Sequence, residues 1–366
     1  MHMKRQIQGI ILSLLLVAGL FSSITLSAIS DTEAFGTTRT SVEAGMTYTI
    51  STQEELGYFA YLSNNSPRLD YTDVTILLTQ DITVTNDYDT RNTGNWEPVS
   101  SFKGVFDGDG HTVTINCERT REAAFIGSND GTIKNLTVAG FATVTADYYN
   151  AAGIAATNGG TITNCTNSAV ITCKTYANGG GITGNNSGLI SGCVNNGSVT
   201  DQSNSAKCGG ITGYNSGFIS ECVNNDSVTT GYYGDVGGIS GIGNSQSIIA
   251  DCNNYGNVSG GTYARCGGIA GTAVGSIFNC YSNGRISGSL NSHCGGIAGN
   301  GLGTGSMANC QNAGIINGTT KSICGGIMGY NFNMAVYNCN NSGSVSGGSN
   351  SECGGIVGHN TLTGSV

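Results

Sequence analysis

The chain has 366 residues, of which 59 are Gly, 2 are Pro and 10% are charged, with a formal net charge of −9. Soluble domains average about 7% Gly and about 25% charged residues, so this composition excludes collagen, which needs Gly at every third place with abundant Pro, and disfavours helix, where each Gly costs about 1 kcal/mol against Ala. No basic cluster is present to replace the counterions of a nucleic acid, which argues against that partner.

Lys4 and Arg5 precede an uncharged apolar run from Ile10 to Phe21, and small or polar residues follow at Ser22, Ser23, Ser27 and Ala28. This is the pattern of a secretory signal peptide over residues 1–28, and the run is shorter than the roughly 20 apolar residues of a membrane span. Export is therefore expected, to a secreted, extracellular or cell-surface location, with no transmembrane helix in the mature chain and a linker over residues 29–47. Thr52 with Glu55 forms a capping box ahead of Leu56, Phe59 and Leu62, which predicts a short helix. Val74 to Leu78 reads as a strand. Residues 48–150 are expected to form an N-terminal cap and first coils, the helix covering an end that would otherwise expose unpaired sheet edges.

Asp107, Asp109 and His111 alternate along one segment. Such a trio could bind calcium or act as acid and base. The residues that follow do not complete an EF-hand loop, and a Gly-rich turn between two strands accounts for the same pattern.

From residue 151 to 366 a repeat of 28 to 30 residues takes over. Gly-Gly-Ile recurs with Ile182, Ile211, Ile239, Ile269, Ile297, Ile327 and Ile356, and Ala-Gly-Ile supplies Ile154. Cys165, Cys193, Cys222, Cys252, Cys280, Cys310 and Cys339 form a column behind these motifs. Three residues before each Cys stands Ile162, Ile190, Ile219, Ile249, Ile277, Met307 or Val336, and six after it Ile171, Val199, Val228, Val258, Ile286, Ile316 or Val345. Three short strands per repeat, none able to bury its own face, must stack on neighbouring repeats. The predicted fold is all-β, a right-handed parallel β-helix with a rise near 4.8 Å per coil and a short N-terminal capping helix. Asn167, Asn195, Asn224, Asn254, Asn312 and Asn341 stand two residues after the Cys, with Ser282 the exception, and stacked amides there can bond along the column. The last repeat is incomplete at Val366, and solenoids end in caps, so a longer gene product is expected.

The segments Phe102-Lys-Gly-Val-Phe-Asp-Gly-Asp-Gly-His-Thr-Val113 and Gly131-Thr-Ile-Lys-Asn-Leu-Thr-Val138, continued by repeats such as Gly237-Gly-Ile-Ser-Gly241, resemble bacterial GLUG-motif proteins of the pectate-lyase-like β-helix group. The resemblance covers roughly residues 48–366. It implies a right-handed β-helix on an exported or surface protein, with adhesive or unassigned roles, and does not imply an enzyme. Two departures are Cys where the family often has Val before Gly-Gly-Ile, and the lack of an anchor domain among these residues.

The 14 Cys leave two alternatives open. Cys208, Cys266, Cys294, Cys324 and Cys353 form a second column just before Gly-Gly-Ile, while Cys117 and Cys173 stand apart. Both columns can be reduced ladders of small core residues, or export can permit cross-links, although parallel Cβ vectors on stacked neighbours fit disulfide torsions badly. No CxxC pair or His cluster points to a metal, and no cofactor is implied. A polysaccharide-active enzyme needs clustered carboxylates. Among the acids after residue 151 only Glu221 and Asp251 share a repeat position, and His293 and His359 read as single loop residues. Tyr148, Tyr149, Tyr176, Tyr214, Tyr232, Tyr233, Tyr263 and Tyr330 fall in or near turns, where they can stack on sugars or simply decorate the surface. The sequence therefore predicts a non-catalytic, adhesin-like scaffold presenting turns to an extracellular glycan or a host or matrix protein. The alternatives are a polysaccharide lyase or glycoside hydrolase, and the non-catalytic part of a larger surface protein or protease.

Overall fold

A computed structural model of the chain describes residues 32–66, 69, 71–85, 94–201, 203–361 and 364–366. The signal-peptide segment 1–28 lies outside the described residues. In a representative coil, Lys207–Gly209, Thr212–Asn215 and Phe218–Ser220 contribute one strand each to a first, second and third sheet, and Val223–Asn224 with Val228–Thr230 contribute to a fourth. Each strand pairs in parallel with its equivalent in the next coil, as in Lys207↔Asp235 and Phe218↔Ile248. Among the described residues the four sheets have eight, nine, twelve and sixteen strands. The chain is a parallel β-solenoid.

The predicted three strands per coil are five short ones in the regular part, and the Gly-Gly-Ile column falls between strands. Ile211 occupies the corner between the first and second sheets, with its N–H bonded to the Ile239 carbonyl at 3.0 Å. Equivalent bonds run from Ile182 to Ile211 and from Ile297 to Ile327. The side chains of Ile182, Ile211, Ile239, Ile269, Ile297 and Ile327 are fully buried, so the corner itself is core. The second Gly of the motif is forced by close approach across that core. A β-carbon on Gly210 would overlap the Gly238 carbonyl and the Asn224 side chain.

The Asn column bonds as its spacing predicts. Asn167 donates to Asn195 at 2.8 Å, Asn195 to Asn224 at 2.7 Å, Asn224 to Asn254 at 2.8 Å and Asn312 to Asn341 at 2.8 Å. Ser282 interrupts the run, and its buried hydroxyl has no partner. A second amide ladder, which the sequence reading missed, runs up the second sheet from Asn129 through Asn158 and Asn186 to Asn215 at 2.7 to 2.9 Å.

The helix forms over Gln53–Asn65, here α1. Thr52 Oγ1 accepts from the Glu55 N–H at 3.1 Å, while the Glu55 carboxylate reaches back to the Ser51 N–H at 2.8 Å. Its buried face carries Leu56, Phe59 and Leu62. Phe59 meets the rings of Phe35, Tyr71 and Phe102 at 5.6, 5.5 and 5.9 Å. Thr32–Ala34, inside the stretch read as linker, is a strand that pairs with Thr47–Ile50. Both strands belong to the third sheet alone, so α1 and its aromatic cluster stand where the other sheets would continue. Among the described residues no helix is long and apolar enough to cross a membrane.

Candidate functional site

All fourteen cysteines are free thiols in the structure. Cys165, Cys193, Cys222, Cys252, Cys280 and Cys310 are buried at the corner between the third and fourth sheets, and Cys339 is partly buried. Each Sγ, Cys339 included, donates to the carbonyl two residues earlier, at 3.1 to 3.4 Å. Burial, reinforced by neighbouring thiols, holds Cys165, Cys222 and Cys280 well above the ordinary thiol range, which makes them poor nucleophiles. In the second column Cys266, Cys294, Cys324 and Cys353 pair in register along the first sheet. Cys173 does not stand apart: its Sγ lies where a side chain on Gly179 would project, beside Cys208. Cys117 is buried alone, and burial pushes its thiol up to about 12.

Asp107, Asp109 and His111 do not converge on one point. Asp107 takes the Lys134 ammonium at 2.9 Å, the Asn135 amide at 3.0 Å and the Asp109 N–H at 3.0 Å. Burial would raise its pKa, but these partners hold it below the ordinary carboxylate range. Asp109 and Gly110 turn through positive φ of 48° and 84°, and His111 faces Asp81 at 3.3 Å. Among the described residues no group of three or more His, Cys, Asp and Glu is placed to hold a metal ion.

The chemistry collects instead on one long face built from three parallel rows. The outward row of the first sheet reads Asn178, Lys207, Asp235, Arg265, His293, Ile323, Glu352 in register. The outward row of the second sheet reads Asn185, Tyr214, Ile242, Thr272, Asn300, Tyr330, His359. The two rows touch. Lys207 Nζ lies 5.7 Å from the Tyr214 ring centre. Asp235 accepts from Arg265 at 2.7 Å and from Thr272 at 2.5 Å. His293 Nδ1 donates to Asn300 at 2.6 Å, and His359 Nδ1 pairs with Glu352 at 2.6 Å. Tyr330 is stacked between the two imidazoles, at 5.3 Å from His293 and 5.2 Å from His359. These histidines are therefore strand residues in one stack, which corrects their reading as single loop residues. Burial raises the pKa of Asp235 despite Arg265 and Thr272, and burial lowers that of His293 despite Asn300.

The third row runs along the corner entering the first sheet, two residues upstream in each coil. It comprises Tyr148, Tyr176, Ser205, Tyr233, Tyr263, Asn291, Lys321 and Asn350, all at φ between 55° and 71°. From Tyr148 to Lys321 each N–H in the row bonds to the next coil, as from Tyr233 to the Thr262 carbonyl at 3.0 Å. Tyrosine rarely adopts this left-handed backbone, which costs about 1–2 kcal/mol per residue, yet four rungs keep it. Tyr148 is 70% exposed and Tyr263 40%.

Six of the eight turn tyrosines named from the sequence thus lie in these rows, with Tyr149 and Tyr232 flanking them. What the sequence reading missed is that Asp235 and Glu352 also share a repeat position, one before the second Cys column. Reading that position for both signs of charge would have found Lys207, Asp235, Arg265, His293 and Glu352 together. Elsewhere, an open hollow of about 480 Å³ lined by Asn95, Asn116, Glu118, Thr120, Phe141 and Thr145 offers a single carboxylate and no Lys, Arg or His.

Fold and face together define a β-solenoid with one polar, aromatic side. No family model matches the chain, and no curated protein matches it. Among solved structures it is similar to one described as a putative immunoglobulin A1 protease from Bacteroides ovatus, at 18% identity, 86% coverage of this chain, 84% of that chain and a TM-score of 0.39. A likeness that slight carries no functional argument.

Proposed function

We propose that the chain is a secreted or cell-surface scaffold, adhesin-like, that binds an extended glycan along its three-row face without cleaving it. The observation behind this reading is the corner row, where four tyrosines hold a costly left-handed backbone while remaining 40 to 70% exposed. The left-handed backbone recurs along this row at Ser205, Asn291, Lys321 and Asn350 and so belongs to the corner. It is the exposed rings, with Lys207 and Arg265 nearby, that suit the apolar faces and hydroxyl rims of sugars. The resemblance to GLUG-motif proteins points the same way. A repeating face also matches a repeating ligand, since each coil offers its groups again after about 4.8 Å.

A hydrolytic reading of this face requires two of its own carboxyls within about 9.5 Å. Glu221 and Asp251, one rung apart, stand off it, at the corner between the third and fourth sheets. Both oxygens of Asp235 are engaged by Arg265 and Thr272. Glu352, the other acid of its row, stands four rungs away, about 19 Å at the usual strand spacing. A panel of immobilised neutral and acidic polysaccharides tests both halves of the proposal. Retention of the protein without release of reducing ends or unsaturated products is the expected result. No retention on any polymer sinks the glycan reading, and product release sinks its non-catalytic part.

A further inference from the structure

Between Tyr148 and Tyr263 the corner row has one rung without a ring, at Ser205. Tyr148 stacks on Tyr176 with centroids 5.0 Å apart and planes at 13°, and Tyr233 stacks on Tyr263 at 4.9 Å and 11°. Between the pairs stands Ser205, whose φ of 58° continues the same backbone. The ladder is unbroken there, with Tyr176 N–H bonded to Asn204 at 3.1 Å and Ser205 N–H to Tyr232 at 2.7 Å. Two rungs leave about 10 Å between the Tyr176 and Tyr233 rings. Tyr232 does not fill that space. It lies 4.3 Å from Tyr233 at 83° and 5.6 Å from Tyr263 at 87°, distances that set it beside the second stack, against the edges of both rings. The facing tyrosines are 49% and 45% exposed.

We propose that this gap is a subsite for a single pyranose ring, held between Tyr176 and Tyr233 with Ser205 at its floor. The inference rests on the glycan-binding reading above and names where that binding is anchored. Thickness selects the ligand. Carbon surfaces meet at about 3.5–4.0 Å, so a flat aromatic ring between two faces fills only about 7–8 Å. A puckered sugar chair, with C–H groups projecting from both faces, takes up the remaining couple of ångströms. Its hydroxyl rim meets the Ser205 hydroxyl below.

Chitopentaose, cellopentaose, xylopentaose and tetragalacturonate serve as probes for the full chain and for the Ser205→Tyr, Tyr176→Ala and Tyr233→Ala variants. Ser205→Tyr places a ring in the gap and is expected to keep the thermal midpoint while weakening the bound oligosaccharide at least tenfold. Tyr176→Ala and Tyr233→Ala remove a wall without adding bulk, and they weaken it similarly even if Ser205→Tyr proves unstable. Saturation-transfer NMR should light protons on both faces of one sugar ring. Unchanged affinity in Ser205→Tyr and Tyr176→Ala, or saturation of one face only, overturns the subsite and leaves the glycan reading standing. Binding of none of the probes by the unmodified chain overturns the subsite, and the polysaccharide panel then decides the wider reading separately.

Discussion

The Sγ of Cys173, at the end of a fourth-sheet strand, stands where a β-carbon on Gly179 of the first sheet would stand. One cysteine thus completes a column that belongs to another sheet, and the rung that lacks its own side chain is filled from across the corner. A void there would cost dispersion contacts on every side.

This exchange predicts strong coupling between the two positions. Gly179→Ala should lower the thermal midpoint, at a cost of about 1–3 kcal/mol, because the added methyl overpacks the site. Cys173→Ala alone should also destabilise, by opening a cavity. The double variant Gly179→Cys with Cys173→Gly gives this coil the pairing of Gly260 with Cys266, Gly288 with Cys294 and Gly318 with Cys324 and is expected to recover most of the loss. Additive losses in the double variant would refute the exchange.

The coil period was legible because it is imposed by packing at each rung: Gly210 must clear Asn224, Ile211 must fill the corner, and Asn224 must find Asn195 and Asn254. Those demands are local and repeat, so they leave a periodic trace. The candidate face was less legible because its side chains differ from rung to rung. Lys207, Asp235, Arg265 and His293 occupy one position, and only their register makes them neighbours. Cys173 was illegible for another reason. Its partner, Gly179, is an absence at that position, and a sequence does not show which distant side chain fills a space.

The amide ladder can be tested at its break. Asn254 donates to Gly256 at 2.9 Å but meets Ser282, not an amide, in the next coil. Gly268 and Gly296 leave room above Ser282 and Asn312 alike, so Ser282→Asn should join the two halves and stabilise by about 1 kcal/mol. Asn224→Ala should do the reverse. It strips partners from Asn195 and Asn254 and is expected to cost about 2–4 kcal/mol. Thermal midpoints of the two variants should therefore move in opposite directions.

The thiol columns predict a count and an order of reaction. Denatured protein should titrate 14 free thiols whether or not reductant is present, matching its cysteine content. In the native state Cys353, the one exposed thiol, should react first with a water-soluble reagent. The buried thiols should react only as fast as the coils open. A lower count without reductant would show cross-links that the free-thiol structure does not contain.

Asp235 and His293 should give the stability of this face opposite slopes with pH. The folded pKa of Asp235 is raised from 3.8 by burial, so the native state holds its proton more tightly than the unfolded chain. Its contribution is then fully present below 3.8 and is lost as pH rises through the folded value. The folded pKa of His293 is lowered from 6.5, again by burial. Its neutral form favours the native state above 6.5, and that advantage is lost as pH falls through the folded value. Asp235→Asn should therefore gain on the unmodified chain between pH 4 and neutrality and match it most closely below 3.8, set against the loss of a charge partner for Arg265. His293→Gln should flatten the decline on the acid side of 6.5. Thermal midpoints from pH 3 to pH 8 would separate the two, and an Asp235→Asn profile parallel to the unmodified chain would remove Asp235 from the account.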